Sequence, residues 1–222
     1  MEDYRNQELA FLGKMAAGFT HEVKNVLAII RENAGLIEDI LTMAPAEAVP
    51  NLDRVLRALS AIRDQSGRGV ELSNRLNRFA HCADQPRAHI ELNETLAQFT
   101  LLVERFARLK EVTLTLHRGE SGIEMETRPV GLQLALFGVL ECCWNSVSSL
   151  RRLDLKVESE PNQGVVEIVG KGEDDRPVGF HETPETVDDW ARVVSRLDAL
   201  GAKVERGPAV DVLRIVFPLR SP

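Results

Sequence analysis

The chain has 222 residues, 44% of them hydrophobic and 27% charged, which suits a soluble globular protein with one large domain or two small ones. A formal net charge of -7 argues against a general nucleic-acid binder, which needs a basic face to meet phosphates. Three cysteines, with Cys142 and Cys143 adjacent, supply neither a disulfide framework nor a zinc-ligand spacing, so reduced thiols are expected. No apolar run reaches the length of a membrane span. The amino-terminal M-E-D-Y-R-N-Q-E also lacks the basic-then-apolar order of a signal peptide. A cytoplasmic protein without membrane contact, and without a sensor domain of its own, is the expectation.

From Leu9 the apolar residues recur at alternating spacings of three and four: Leu9, Leu12, Ala16, Phe19, Val23, Val26 and Ile30, then Ile37 and Ile40 after a break at Asn33. This is an a/d heptad seam on a long helix, which Pro45 and Pro50 should end within Ala44–Pro50. A second helix starts near Asn51, a good N-cap, and continues the rhythm through Leu52, Val55, Leu59 and Ile62, then Leu72, Leu76 and Phe79. Between them S-G-R-G (Ser66–Gly69) is poor helix-forming sequence. Two long antiparallel helices with one narrow seam cannot bury it alone, so a homodimer forming a four-helix bundle is expected.

Asp84–Ala88, with Pro86, reads as a linker. Beyond it the pattern is mixed: a short strand near His89–Leu92, a helix over Glu94–Lys110 with Asn93 as its cap, and an alternating strand at Val112–His117. A strand at Ile123–Glu126, an apolar helix over Val130–Leu150 and strands at Leu153–Glu158 and Val165–Val169 follow. A helix over Val187–Leu200 and strands at Ala202–Arg206 and Val212–Pro218 complete the chain. The expected fold is α+β, a helical hairpin over residues 1–84 followed by a two-layer α/β sandwich over 89–222.

F-T-H-E-V-K-N (Phe19–Asn25) carries the chemistry. With Leu9 at an a position, Phe19 and Val23 lie in the seam while His21 falls at f, facing solvent, with Asn25 one turn along. A neutral imidazole is a competent nucleophile. Glu22 can accept a hydrogen bond from one ring nitrogen and activate the other. Asn25 can orient a water or an incoming phosphoryl group. A zinc site of the H-E-x-x-H type is excluded, because position 25 is asparagine. Taken alone, H-E-x-x-N is more often a solvated surface histidine.

The wider stretch L-G-K-M-A-A-G-F-T-H-E-V-K-N-V-L-A-I-I (Leu12–Ile30) resembles the H-box of two-component sensor histidine kinases. Val26 stands where that box usually has proline. L-S-N-R-L-N-R-F-A (Leu72–Ala80) resembles the end of the family's second dimerisation helix, and I-E-L-N-E-T-L (Ile90–Leu96) the start of its ATPase-like domain. The resemblance implies that His21 accepts a phosphoryl group, that Glu22 and Asn25 assist, and that the partner is a response-regulator receiver domain.

It also implies a Mg-ATP site, whose pieces depart from the pattern. Against the N-box, R-P-V-G-L-Q-L-A-L-F-G-V-L-E-C-C (Arg128–Cys143) puts Gly138 and Cys142 at the two asparagine positions. A shifted alignment puts Glu141 and Asn145 on one face, where they serve magnesium if ATP binding is retained. V-E-I-V-G-K-G-E-D-D (Val166–Asp175) has Gly170 where an aspartate meets adenine, and Asp174 and Asp175 come too late to replace it. No aromatic box or glycine-rich loop follows Gly172, although the last helix resembles the one after that loop. Trp144 and Trp190 read as packing residues, and His81, His89, His117 and His181 show no ligand spacing. Arg54, Arg57, Arg63, Arg68, Arg75 and Arg78 make the second helix basic, either a solvated face or a docking surface for an acidic receiver.

The expectation is a kinase-like histidine phosphotransferase of a phosphorelay, with a degenerate ATPase-like domain, no bound cofactor or metal of its own, and a sensor kinase acting upstream. The alternatives are an ATP-dependent histidine kinase using Mg-ATP at Glu141 and Asn145, and a non-catalytic dimeric scaffold.

Overall fold

A computed structural model describes residues 2–43, 51–120, 122–179 and 189–219. The expected helix end at Ala44–Pro50 lies outside them. Two compact units emerge, one of Leu12–Ala80 and one of Met1–Phe11 together with His81–Pro222.

The first unit consists of most of α1 (Glu2–Met43) and α2 (Leu52–Cys82). Asn51 caps α2, its Oδ1 accepting the Arg54 N–H at 3.3 Å. The buried residues of α1 here are Met15, Phe19 and Val26, and those of α2 are Ala58, Leu72 and Phe79. The seam therefore divides. Its d residues Phe19 and Val26 are buried, while its a residues Leu9, Ala16 and Val23 are exposed. A straight helix turns through 3.6 residues, so Met15, Phe19 and Val26 share a stripe that a strict heptad reading splits. Ser66–Gly69 does not interrupt α2. The Ser66 hydroxyl donates to the Ile62 carbonyl at 2.9 Å. A Cβ at Gly69 would lie 3.4 Å from Val26 Cγ1, an ordinary van der Waals contact.

The second unit is α+β. β1 (Ala88–Glu91) and β3 (Glu124–Thr127) form an antiparallel ribbon. Between them lie α3 (Leu92–Leu109) and β2 (Thr113–His117). β4 (Arg152–Glu160), β5 (Gln163–Lys171), β6 (Lys203–Arg206) and β7 (Val212–Pro218) join β2 in a sheet of order β2-β4-β5-β7-β6. Only the β2–β4 pair is parallel. Leu153, Leu155, Val166, Ile168, Leu213 and Ile215 are fully or almost fully buried, as strand alternation requires of one face. α4 (Pro129–Ser146) is buried continuously from Gly131 to Leu140, a helix enclosed on all sides. α5 (Trp190–Asp198) packs against it.

Helix boundaries differ from the sequence reading at three helices; α5 ends at Asp198 rather than Leu200, and its expected start at Val187 lies outside the described residues. Asn93 is not the cap of α3. Glu91 is, and its carboxylate accepts the N–H groups of Asn93 at 3.0 Å and Glu94 at 2.7 Å. Starting the helix earlier lets Leu92 enter the core, while buried Asn93 accepts the Gly119 N–H at 2.9 Å. α4 stops at Ser146 rather than Leu150, because Val147 is extended at φ -125 and ψ 102. Among the described residues, no helix is long and apolar enough to cross a membrane.

Candidate functional site

His21 lies midway along α1 on its exposed face, with Phe19 and Val26 buried on the opposite side. That placement follows from the helix period: a residue two positions after a buried one points across the helix. Asn25, also exposed, sets its Nδ2 3.3 Å from His21 Nδ1. Glu22 is half-buried. The three residues named from sequence thus lie within two adjacent turns of one continuous helix. A ring presented this way can be met by a partner's surface, and its Nδ1 already has a polar neighbour.

On α2, Arg54, Arg57, Arg63, Arg68 and Arg78 are exposed, whereas Arg75 is half-buried and paired with Glu71. That hydrogen bond and the Arg75 charge hold the Glu71 carboxyl below its ordinary range. The face keeps a basic excess after this pairing.

Gly138 and Cys142, the positions matching the N-box asparagines, lie under α5. A Cβ at Gly138 would stand 2.8 Å from Val193 Cγ2 and 3.2 Å from Arg196 Nη1, so glycine is what permits this approach. Burial first, then the carboxylates of Asp189 and Glu141, push the Cys142 thiol up to about 11. Burial pushes Cys143 up as well, which suits packing residues rather than redox groups. Glu141 is half-buried and Asn145 exposed, in the last turns of α4. That end of a helix is electronegative, which disfavours phosphate but not a cation.

Gly170, where the resemblance expects an aspartate, has both main-chain groups engaged. Its N–H donates to the Asp211 carbonyl at 2.9 Å and its carbonyl accepts the Val178 N–H at 3.1 Å. The chain after β5 turns back on itself, with Gly172 N–H donating to the Arg176 carbonyl at 2.9 Å and Val178 buried beside Gly172. Asp174 and Asp175 adopt left-handed φ of 54° and 58° in this turn. Asp175 is committed to Arg152 at 2.7 Å, and Arg152 in turn lies 3.2 Å from buried Asp154. A cleft of about 540 Å³ remains beside the turn, lined by Ser149, Arg151, Glu173, Arg176 and Val178 among others. Residues 180–188, which include His181, lie outside the described part. His81 meets Asp84 at 2.9 Å and His117 meets Asp154 at 3.5 Å. Among the described residues no three His, Cys, Asp or Glu side chains converge as a metal-holding group.

The start of α1 belongs to the second unit, which the sequence reading missed. Phe11 is buried with its ring 5.6 Å from Phe137, and Phe137 also stacks edge-on with Phe106 and Trp144. The Arg196 Nε–H donates to Gln7 Oε1 at 2.8 Å, and Arg128 pairs with Glu8 at 2.9 Å. The available signal was Phe11 itself, four residues before Met15 and eight before Phe19, but outside the a/d seam.

No protein-family model matches the chain, and no curated protein matches it. Among solved structures the chain is similar to the Acinetobacter baumannii histidine kinase AdeS, at 12% identity and a TM-score of 0.45, over 90% of this chain and 98% of that one. The likeness is to histidine kinases. A structure described as a bacterial phosphotransferase is similar at 14% identity and a TM-score of 0.45, over 93% of this chain and 95% of that one. The histidine kinase ThkA, solved in complex with the response regulator TrrA, is similar at 14% identity and a TM-score of 0.44, over 99% of this chain and 66% of that one.

Proposed function

We propose that the chain is a histidine phosphotransferase of two-component signalling, exchanging a phosphoryl group between His21 and the aspartates of response-regulator receiver domains. The observation that carries this reading is His21 standing exposed on α1 with Asn25 at its ring. A nucleophile that must enter another protein's acidic pocket needs such a position, and the exposed arginines of α2 supply complementary charge for docking. In transfer the ring nitrogen attacks phosphorus in line and the receiver carboxylate leaves, so positioning does most of the work. Any metal the step uses belongs to the receiver.

Apart from Glu141 and Asn145, the residues at the nucleotide positions argue against ATP. Gly138 lies under Val193 and Arg196, Gly170 offers no carboxylate, and Asp175 is held by Arg152. These features argue for a protein as the phosphoryl donor, with a separate kinase charging the receiver from ATP. The exposed Val23, Leu27, Leu56 and Leu59 on the two helices support a homodimer, since a second copy covers apolar residues that one chain leaves in water.

A phosphorylated receiver mixed with the chain should lose its label to the chain within the mixing experiment, and His21→Ala should abolish that transfer. Calorimetry with Mg-ATP should show no binding heat. Tight ATP binding, or autophosphorylation without a partner, would overturn the reading in favour of an ATP-dependent kinase. Partner regulation unchanged in His21→Ala would favour a scaffold.

A further inference from the structure

β3 leaves one edge without a strand. It pairs with β1 alone, in a register that sets Glu91 against Glu124, His89 against Glu126 and Ala88 against Thr127. The Leu92 N–H donates to the Ile123 carbonyl at 2.9 Å, which makes Leu92 and Ile123 a hydrogen-bonded pair of this antiparallel ladder. Such pairs alternate, so Met125 and Thr127 bond to β1, while Glu124 and Glu126 turn their N–H and carbonyl groups away from it. Among the described residues no main-chain partner meets those groups.

A cleft of about 460 Å³ lies along this edge. All four residues of β3 line it, from Glu124 to Thr127, although successive side chains point to opposite faces. A cleft that meets every residue of a strand runs past its edge rather than over one face. Leu200, Phe217 and Leu219 add apolar walls from the turn after α5 and the end of β7. Thr127 is 5% exposed, and its hydroxyl has no hydrogen-bond partner among the described residues. Both arginines of the cleft are engaged by carboxylates, Arg87 with Glu126 at 3.8 Å and Arg128 with Glu8 at 2.9 Å. The cleft also meets the residues just past the last turn of α5, the electronegative end of that helix. A second copy of β3 is a poor occupant, because it would set glutamates opposite glutamates. Glu124 and Glu126 project from one face two residues apart, so they match basic residues at alternate positions of an added strand. The residue between those two points to the opposite face, the side of half-buried Met125.

We propose that the free edge of β3 is a docking site for an extended segment of a partner protein, with basic residues at alternate positions and apolar residues between them. The segment joins the ribbon as a third strand. Main-chain hydrogen bonds at Glu124 and Glu126 supply affinity, and the two carboxylates select the charge. Docking here is independent of phosphotransfer at His21, which lies in the other unit.

The test titrates the full chain with a fluorescent heptapeptide of alternating lysine and valine, blocked at both ends, and with a counterpart carrying glutamate for lysine. The lysine peptide should bind, and the glutamate peptide should bind roughly tenfold more weakly or not at all. Glu124→Lys with Glu126→Lys should reverse that preference, and binding of the glutamate peptide then shows that the variant is folded. Methylating the amide nitrogens of one alternating set of peptide residues should abolish binding, and methylating the other set should leave it, because one set alone faces β3. At saturation the Glu124 and Glu126 amides should exchange with deuterium about tenfold more slowly. No binding of the lysine peptide overturns the proposal. Equal binding of the two peptides, a preference unchanged by the double substitution, equal effects of the two methylated sets, or unslowed exchange at both amides overturns it as well.

Discussion

Glu91 joins three parts of the second unit through one carboxylate. It caps α3 through the N–H groups of Asn93 and Glu94, meets the Asn93 amide at 3.2 Å, and accepts the Ile123 N–H at 3.3 Å. Burial opposes its ionisation, but the main-chain donors of Glu94, Asn93 and Ile123 outweigh it and hold the carboxyl below its ordinary value of 4.5. A carboxyl whose folded value is depressed contributes stability that is complete above the unfolded value and is lost as pH falls through the folded one. Glu91→Ala should therefore cost about 1–2 kcal/mol near neutral pH, and less in acid. Urea melts of both proteins across that range measure it; a constant difference down to strongly acidic pH would contradict the assignment.

Among elements, α1 is the one whose role exceeds its sequence pattern. Its first turns complete an aromatic cluster in the second unit, where Phe11 meets Phe137, and two arginines fix Gln7 and Glu8. The ring supplies most of the stabilisation, since a partly exposed ion pair is worth less than about 1 kcal/mol. Phe11→Ala should destabilise the second unit by about 3 kcal/mol, and Glu8→Ala by a fraction of that. Denaturant unfolding of each variant gives the comparison, and equal losses would mean the polar contacts carry the packing. α4 shows the converse case, a helix whose glycine reads as poor propensity until α5 is seen lying against Gly138.

At the scale of the whole molecule, the unpaired apolar residues of α1 and α2 predict a second copy. Val23 is 37% exposed and Leu27 58%, both flanking the buried stripe of α1. Val23→Glu with Leu27→Glu should shift the sedimenting species from dimer to monomer, since charges placed in an apolar interface lose hydration without gaining partners. A sedimentation coefficient unchanged by the pair of substitutions would remove this face from the interface. Most of the helices and strands were legible in the sequence, because their signals are local: the three-four rhythm of α1 and α2, the alternation of β2, and Asn51 as a cap. The exposure of His21 was legible for the same reason, since a buried Phe19 and Val26 fix the opposite face of a helix. The cap at Glu91, the turn that brings Val178 to Gly170, and the seating of Phe11 on Phe137 were not. Each depends on residues far apart in sequence or on a turn whose conformation no local propensity specifies. The sequence by itself determined a helix that presents a histidine, and it places Gly138, Cys142 and Gly170 where the resemblance expects carboxamides and a carboxylate. Tertiary structure decided what lies against Gly138 and Gly170, because only packing reveals α5 and a returning loop there. It also decided that Asn25 meets the ring, because one turn of helix offers its amide two partners and only coordinates distinguish them.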